Sequence, residues 1–217
     1  MSRTDTLEAP AEPPKHCALC PRLVAFREES SSAHLDWFAG AVPSFGDPQA
    51  RLLIVGLAPG LQGAHRTGRP FTGDYAGDLL YETLATFGWS MGTYDARADD
   101  GLELIGCMIT NAVRCVPPQN KPTGGEIAAC RPFLSARIES LANLRAILAL
   151  GRIAHESVLR ARGIKLKDAP FTHGGIHHLG DGITLVDSYH CSRYNTNTRR
   201  LTPQMFADVF RAIADLA

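Results

Sequence analysis

Four of the six cysteines fall into two pairs, Cys17-x2-Cys20 and Cys115-x14-Cys130. Four thiolates suit a tetrahedral zinc ion. The second pair is unusually wide for zinc, with a proline-rich turn and a helical stretch in it, and such irregular spacing is equally compatible with an iron–sulfur cluster. Spacing alone leaves both metals open, beside the plainer reading of four ordinary buried cysteines. Cys107 lies inside the apolar run Leu104–Ile109 and reads as a small buried hydrophobe. A second set could do chemistry on a flat heterocycle: Phe71 to stack, Asn111 to offer both a donor and an acceptor, Asp74 and His190 for acid–base or charge work, and Asn195 beside them. Each has an ordinary alternative: a core phenylalanine, a helix N-cap at Asp74, a turn asparagine, a hydrogen-bonded loop histidine. Their shared placement on loops that follow strands favours the functional reading.

The elements that must position them can be read from pattern. Leu52–Val55 is a short branched apolar run, as a buried parallel strand would be. Leu79, Leu80, Leu84 and Phe87 then recur at helical spacing from Tyr75 until Gly88. Between strand and helix lies Gly56–Gly77, GLAPGLQGAHRTGRPFTGDYAG, far longer than a strand-to-helix connection usually runs, and it is read as the floor of an active site. Further strands are expected at 104–110, 145–150 and 183–186. Helices are expected near 20–29, 125–144, 151–159 and 203–216, with a hairpin-like connection over 163–182. The alternation predicts an α/β protein with three layers, α/β/α, around a central four-stranded, mainly parallel sheet. Its loops Gly56–Gly77, Asn111, Gly151 and His190 would meet at the carboxyl edge.

Composition bounds the rest. The chain is 45% hydrophobic and 20% charged, ordinary for a globular protein, and no apolar run is long enough for a membrane span. Residues 1–15 are polar and proline-rich and are read as a flexible tail ahead of one domain over 16–217; without an apolar signal core, the expectation is a cytoplasmic protein with reduced thiols. Net charge is zero, but residues 1–113 hold 8 Lys+Arg against 14 Asp+Glu, and residues 114–217 hold 14 against 8. The second half can therefore present a basic surface to nucleic acid.

GLAPG at 56–60, RTGRPFTGD at 66–74, TNAVRCVPP at 110–118 and HCSRYNTNTRRLTP at 190–203 resemble the uracil-DNA glycosylase superfamily, in particular its family 5, the type B enzymes with an iron–sulfur cluster. The resemblance runs from about Cys17 to the C-terminus. It implies a monofunctional glycosylase that flips uracil out of DNA and hydrolyses its N-glycosidic bond, with hypoxanthine and other deaminated bases as further substrates. It implies a structural [4Fe–4S] cluster on Cys17, Cys20, Cys115 and Cys130. Gly56, Ala58 and Gly60 would approach the base and sugar with bare backbone, Phe71 would stack, and Asn111 would read the base edge. Asp74 would position or activate water, and His190 would stabilise charge on the departing base. Arg193, Tyr194 and Asn195 belong to the segment that would enter the DNA minor groove, Arg193 and Tyr194 as the wedge. A monomer acting on damaged DNA is expected.

Two departures from the family pattern stand out. Leu57 occupies the place where family 4 keeps an acid, which moves the burden to Asp74. Cys191 replaces the proline of the usual His-Pro-Ser, and is expected to loosen that loop or expose an oxidisable thiol. The competing readings are a non-catalytic iron–sulfur protein that binds damaged DNA, and a zinc-bound α/β protein with a nucleotide ligand.

Overall fold

The computed structural model describes residues 11–217. Its strands are β1 (Phe45–Gly46), β2 (Leu52–Gly56), β3 (Ser90–Met91), β4 (Glu103–Leu104), β5 (Cys107–Asn111), β6 (Ala146–Leu150), β7 (Ile176–Gly180) and β8 (Ile183–Ser188). The helices are α1 (Pro21–Ala33), α2 (Ala64–Thr67), α3 (Tyr75–Thr86), α4 (Gly124–Ser140), α5 (Arg152–Ala161), α6 (Arg193–Asn197) and α7 (Pro203–Ala214). The main sheet has the order β1-β5-β2-β6-β8-β7. The four expected strands, β5, β2, β6 and β8, are its parallel centre. The sheet is six-stranded because β1 and β7 add antiparallel edges. The connection read as hairpin-like over 163–182 contributes only β7, which forms a hairpin with β8; β1 is two residues long, too short to leave a periodic signal.

The parallel strands are buried on both sides, so alternate residues feed different cores. Leu52 and Ile54 meet Leu80 and Leu84 of α3 and Phe206 and Phe210 of α7. Leu53 and Val55 meet Leu134 and Ile138 of α4 and Val158 of α5. The result is the expected three layers. β2 and β8 thus lead to helices on one face, and β5 and β6 to helices on the other. Adjacent strands whose connections diverge this way open a crevice at their carboxyl ends, the usual ligand site of such sheets. Gly56, the last residue of β2, is paired in register with Asn111, the last of β5.

Residues 1–10 of the expected tail lie outside the described residues. Residues 11–15 are not loose: Glu12 accepts from Arg114 Nη1 at 2.8 Å and also pairs with Arg137. Arg114 is fully buried, and the isolated cation needs a carboxylate beside it.

Candidate active site

The Gly56–Gly77 connection, Asn111 and the His190 loop enclose a cavity of about 340 Å³ at this crevice, within the size range of a small-ligand site. Four of the five residues of the heterocycle set, Phe71, Asp74, Asn111 and His190, line it, with Ala58 and Gly60 on its wall. Phe71 is a buried residue at φ +53°, a conformation few side chains adopt, and its ring lies 5.8 Å from the His190 ring. Gly56 has to be glycine: a Cβ there would collide with Asn111 Oδ1 and the Phe71 ring. Asn111 is 3% exposed, and its Oδ1 has no hydrogen-bond partner among the described residues. An unpaired buried carbonyl costs about 1–3 kcal/mol, so a ligand donor that meets it gains that much.

Asp74 combines its two readings. One oxygen, Oδ1, caps α3 by accepting from the Gly77 amide at 3.2 Å. The other, Oδ2, lies in the cavity wall against Gly60 and Gly63, where a Cβ on Gly63 would collide with it. Burial pushes this carboxyl above its usual range, against the lowering effect of the cap. Capping fixes the rotamer; the free oxygen is left poised for a polar ligand.

His190 follows β8, and desolvation drops its imidazole to about 4, so it is neutral at pH 7 and can donate one N–H. Asn195, expected on DNA, is half-buried, and its Nδ2 donates to the His190 carbonyl at 2.8 Å, holding the exit of that loop. The segment expected to enter the minor groove contains the short helix α6, capped by Ser192. Arg193 and Tyr194 are exposed on it; Arg193 lies over the Tyr75 ring at 5.1 Å, and Tyr194 is 71% exposed. Cys191 neither loosens the loop nor offers an exposed thiol. It is fully buried, donates to the Ala76 carbonyl at 3.3 Å, and is kept protonated by desolvation. It fills space as a small hydrophobe and ties the His190 loop to α3.

Pattern reading missed Asn120, which also borders the cavity. Gln119 and Asn120 both take positive φ after Pro117-Pro118, and asparagine's tolerance of that conformation was the available signal. Beside His190 a second cleft of about 280 Å³ is flanked by exposed Arg152 and Arg200, whose guanidinium groups lie over Phe171 and Tyr189. With Arg193 and Arg199 they give this edge of the sheet a basic rim, drawn from the positively charged half of the chain.

Cys17, Cys20, Cys115 and Cys130 line one apolar pocket on the other side of the β5 end, with Leu23, Ala41, Val113 and Phe133. Arg27, 4% exposed, donates to Cys115 Sγ at 3.3 Å, and the Arg114 amide donates to Cys130 Sγ at the same distance. Burial raises the Cys20, Cys115 and Cys130 thiols, Cys130 to about 11. Without a cation they stay protonated. The donor set fits a thiolate-bound centre: four sulfurs, apolar walls, and two N–H donors with a buried guanidinium to absorb negative charge.

The protein is of the α/β class with a mainly parallel sheet, and a buried aromatic ring, an amide oxygen without a partner and a shielded carboxyl share the cavity at its switch point. The chain belongs to the uracil DNA glycosylase superfamily, whose family model matches residues 43–214. It is 46% identical over 206 residues to a type-5 uracil-DNA glycosylase of Thermus thermophilus, covering 93% of this chain and 94% of the relative. It is 44% identical to one of Mycobacterium leprae, covering 93% and 91%. Similarity to a type-4 uracil-DNA glycosylase of Sulfurisphaera tokodaii is lower, 30% over 78% of this chain. The fold expected from the motifs is thus the fold of the family.

Proposed function

We propose that this chain is a monofunctional uracil-DNA glycosylase that hydrolyses the N-glycosidic bond of a flipped uracil. The observation that carries the reading is Asn111: a buried amide whose oxygen has no partner among the described residues, in a cavity of nucleobase size that Phe71 also lines. Its Oδ1 would accept the base N3–H, while its NH₂ donates to the O4 carbonyl. Flipping costs a few kcal/mol, and stacking on Phe71 with these hydrogen bonds offsets it. As the bond breaks, negative charge gathers on the base and oxocarbenium character on the sugar. Neutral His190 can donate to the base O2 without having to lose a full charge afterwards. Asp74 Oδ2, next to bare backbone at Gly60, can hold water at the anomeric carbon or face the positive sugar. Because stacking and one amide discriminate only modestly, hypoxanthine and other deaminated bases are also proposed substrates. Arg193 and Tyr194 would hold the gap left in the DNA stack, and the basic rim would follow the phosphates.

Cys17, Cys20, Cys115 and Cys130 would hold a [4Fe–4S] cluster, which when bound supplies a structural cross-link and no step of hydrolysis. In support, the four sulfurs share one apolar pocket, where Arg27 and the Arg114 amide donate to two of them. Release of uracil from a labelled oligonucleotide tests the function. Wild type that binds uracil-containing DNA but releases no base establishes the damage-binding alternative. Anaerobically purified protein is expected to be brown with iron and sulfide; colourless protein with one zinc refutes the cluster. Among the described residues no helix is long and apolar enough to cross a membrane, and we propose a cytoplasmic monomer.

A further inference from the structure

The connection that carries Phe71 is gripped from outside the cavity by residues 92–102, the segment between β3 and β4. Its turn reverses twice within three residues, with φ +53° at Phe71 and +87° at Gly73. Glycine takes that conformation without strain, whereas a phenylalanine keeps it only where its surroundings hold it there. The Tyr94 hydroxyl sits at this point. It donates to the Phe71 carbonyl at 3.3 Å and accepts from the Gly73 amide at 3.3 Å. Among the described residues, neither backbone group has another partner. The Tyr94 ring stacks on Tyr81 of α3, with centroids 4.5 Å apart, and this fixes where the hydroxyl lands. From the other side α3 comes so close that a Cβ on Gly77 would collide with the Phe71 carbonyl and the Tyr94 hydroxyl.

The gripping segment is itself anchored by one ion pair. Arg69, 4% exposed, places its two terminal nitrogens on the two oxygens of Asp100, each at 2.7 Å, and its Nε donates to Thr72 Oγ1 at 2.7 Å. The same Asp100 carboxylate accepts from the Asp95 amide at 2.9 Å and the Leu102 amide at 3.0 Å. It thereby closes residues 95–102 into a loop whose neighbour in the chain is Tyr94. The guanidinium lies 5.0, 5.4 and 5.8 Å from the rings of Phe45, Tyr81 and Tyr94. A bidentate pair set among aromatic rings fixes direction as well as charge. Tyr81 completes the frame by donating to the Pro70 carbonyl at 2.7 Å. Each residue from Arg69 to Gly73 thus has a contact with Tyr81, Tyr94, Asp100 or Arg69, none of which lines the cavity that Phe71 faces.

We propose that Tyr94 is a positioning residue for excision, its hydroxyl clamping the Phe71 turn so that the ring stands where the flipped base stacks. The inference rests on the glycosylase reading. Tyr94→Phe removes the hydroxyl, keeps the ring on Tyr81, and leaves the Phe71 carbonyl and the Gly73 amide without their partner. Single-turnover uracil excision should fall about tenfold to a hundredfold, as small misplacements near the reacting groups do, with affinity for undamaged duplex unchanged. Rates are compared well below the thermal midpoint of each variant, so that loss of fold does not enter. The fall should depend on the ring being held: in a Phe71→Ala background, Tyr94→Phe should cost less than about twofold further. An equal fall in both backgrounds, the mark of a merely structural tyrosine, overturns the proposal, and so does wild-type excision by Tyr94→Phe. Hydrogen exchange on the full-length protein tests the clamp directly. The Gly73 amide should be protected in wild type and lose that protection in Tyr94→Phe; free exchange in wild type overturns the clamp without any variant. If wild type releases no uracil at all, the glycosylase reading fails instead, while Gly73 exchange still decides the clamp.

Discussion

Asn111 and Cys115 leave the end of the same strand four positions apart and enter opposite surroundings. Toward Cys115 the chain is closed on itself: four sulfurs face inward, Arg27 and the Arg114 amide donate to two of them, and Glu12 neutralises the Arg114 side chain. Toward Asn111 the structure is left incomplete. An amide oxygen has no partner, a carboxylate is raised by burial, an imidazole is kept neutral, and a phenylalanine sits at positive φ. Each of those arrangements costs stability, and the unpaired Asn111 oxygen regains a partner when a ligand donor meets it. One side of the strand end maintains the fold, and the other spends some of that stability on preorganisation.

Substitutions should separate the two sides. The largest effect is expected from Cys130→Ser, which removes a proposed cluster ligand from the closed side. Iron content should fall and the thermal midpoint collapse, on the order of several kcal/mol, since ligation energy of such centres is folding energy. A variant that keeps wild-type stability without iron would break the comparison. Asp74→Asn should do the reverse, lowering excision about 10²- to 10⁴-fold while raising the thermal midpoint at pH 7. The sign follows from linkage: a carboxyl raised by folding binds its proton more tightly in the native state, so its contribution to stability is lost as pH rises through the folded value. Asparagine keeps the cap and removes that loss. Equal excision by wild type and Asp74→Asn would exclude Asp74 from the chemistry.

Asn111→Ala should weaken excision about 10- to 100-fold, the equivalent of one buried hydrogen bond, and should erase preference among uracil, hypoxanthine and xanthine in an excision panel. The imidazole of His190 gives a pH test. Excision should persist through mild acid and decline only near pH 4, where His190 gains charge. Because the unfolded histidine takes its proton near pH 6.5, folding stability should already decrease between these values, and His190→Gln should flatten that decrease. Smallest is Arg193→Gln, expected to leave single-turnover rates nearly unchanged at low salt while reducing the salt slope of DNA binding by about one.

Much of this was legible before any coordinates. The branched runs of β2, β6 and β8 and the excess length of Gly56–Gly77 placed the crevice, because buried parallel strands and long glycine-rich connections leave plain local signals. Phe71, Asp74, Asn111 and His190 were expected together from loops that follow strands, and all four line one cavity. What was not legible depends on contacts distant in sequence. Asn195 donates to the His190 carbonyl, Cys191 is sealed by α3, and the Tyr94 hydroxyl reaches Phe71 from a separate connection. β1 owes its existence to two residues pairing with β5. None of these writes a period or a spacing into the chain.

The positions of the four cysteines carry a consequence for how the molecule is made. The proposed cluster, joining Cys20 to Cys115, would close a ring of polypeptide that contains β2, Phe71, Asp74 and Asn111. Closing so large a ring removes a great deal of freedom from the unfolded chain, about 4–5 kcal/mol for a crosslink spanning roughly a hundred residues. The last proposed ligand, Cys130, follows all of those residues in the chain, so the proposed cluster would be complete only once Phe71, Asp74 and Asn111 have been made, with the His190 loop still to follow.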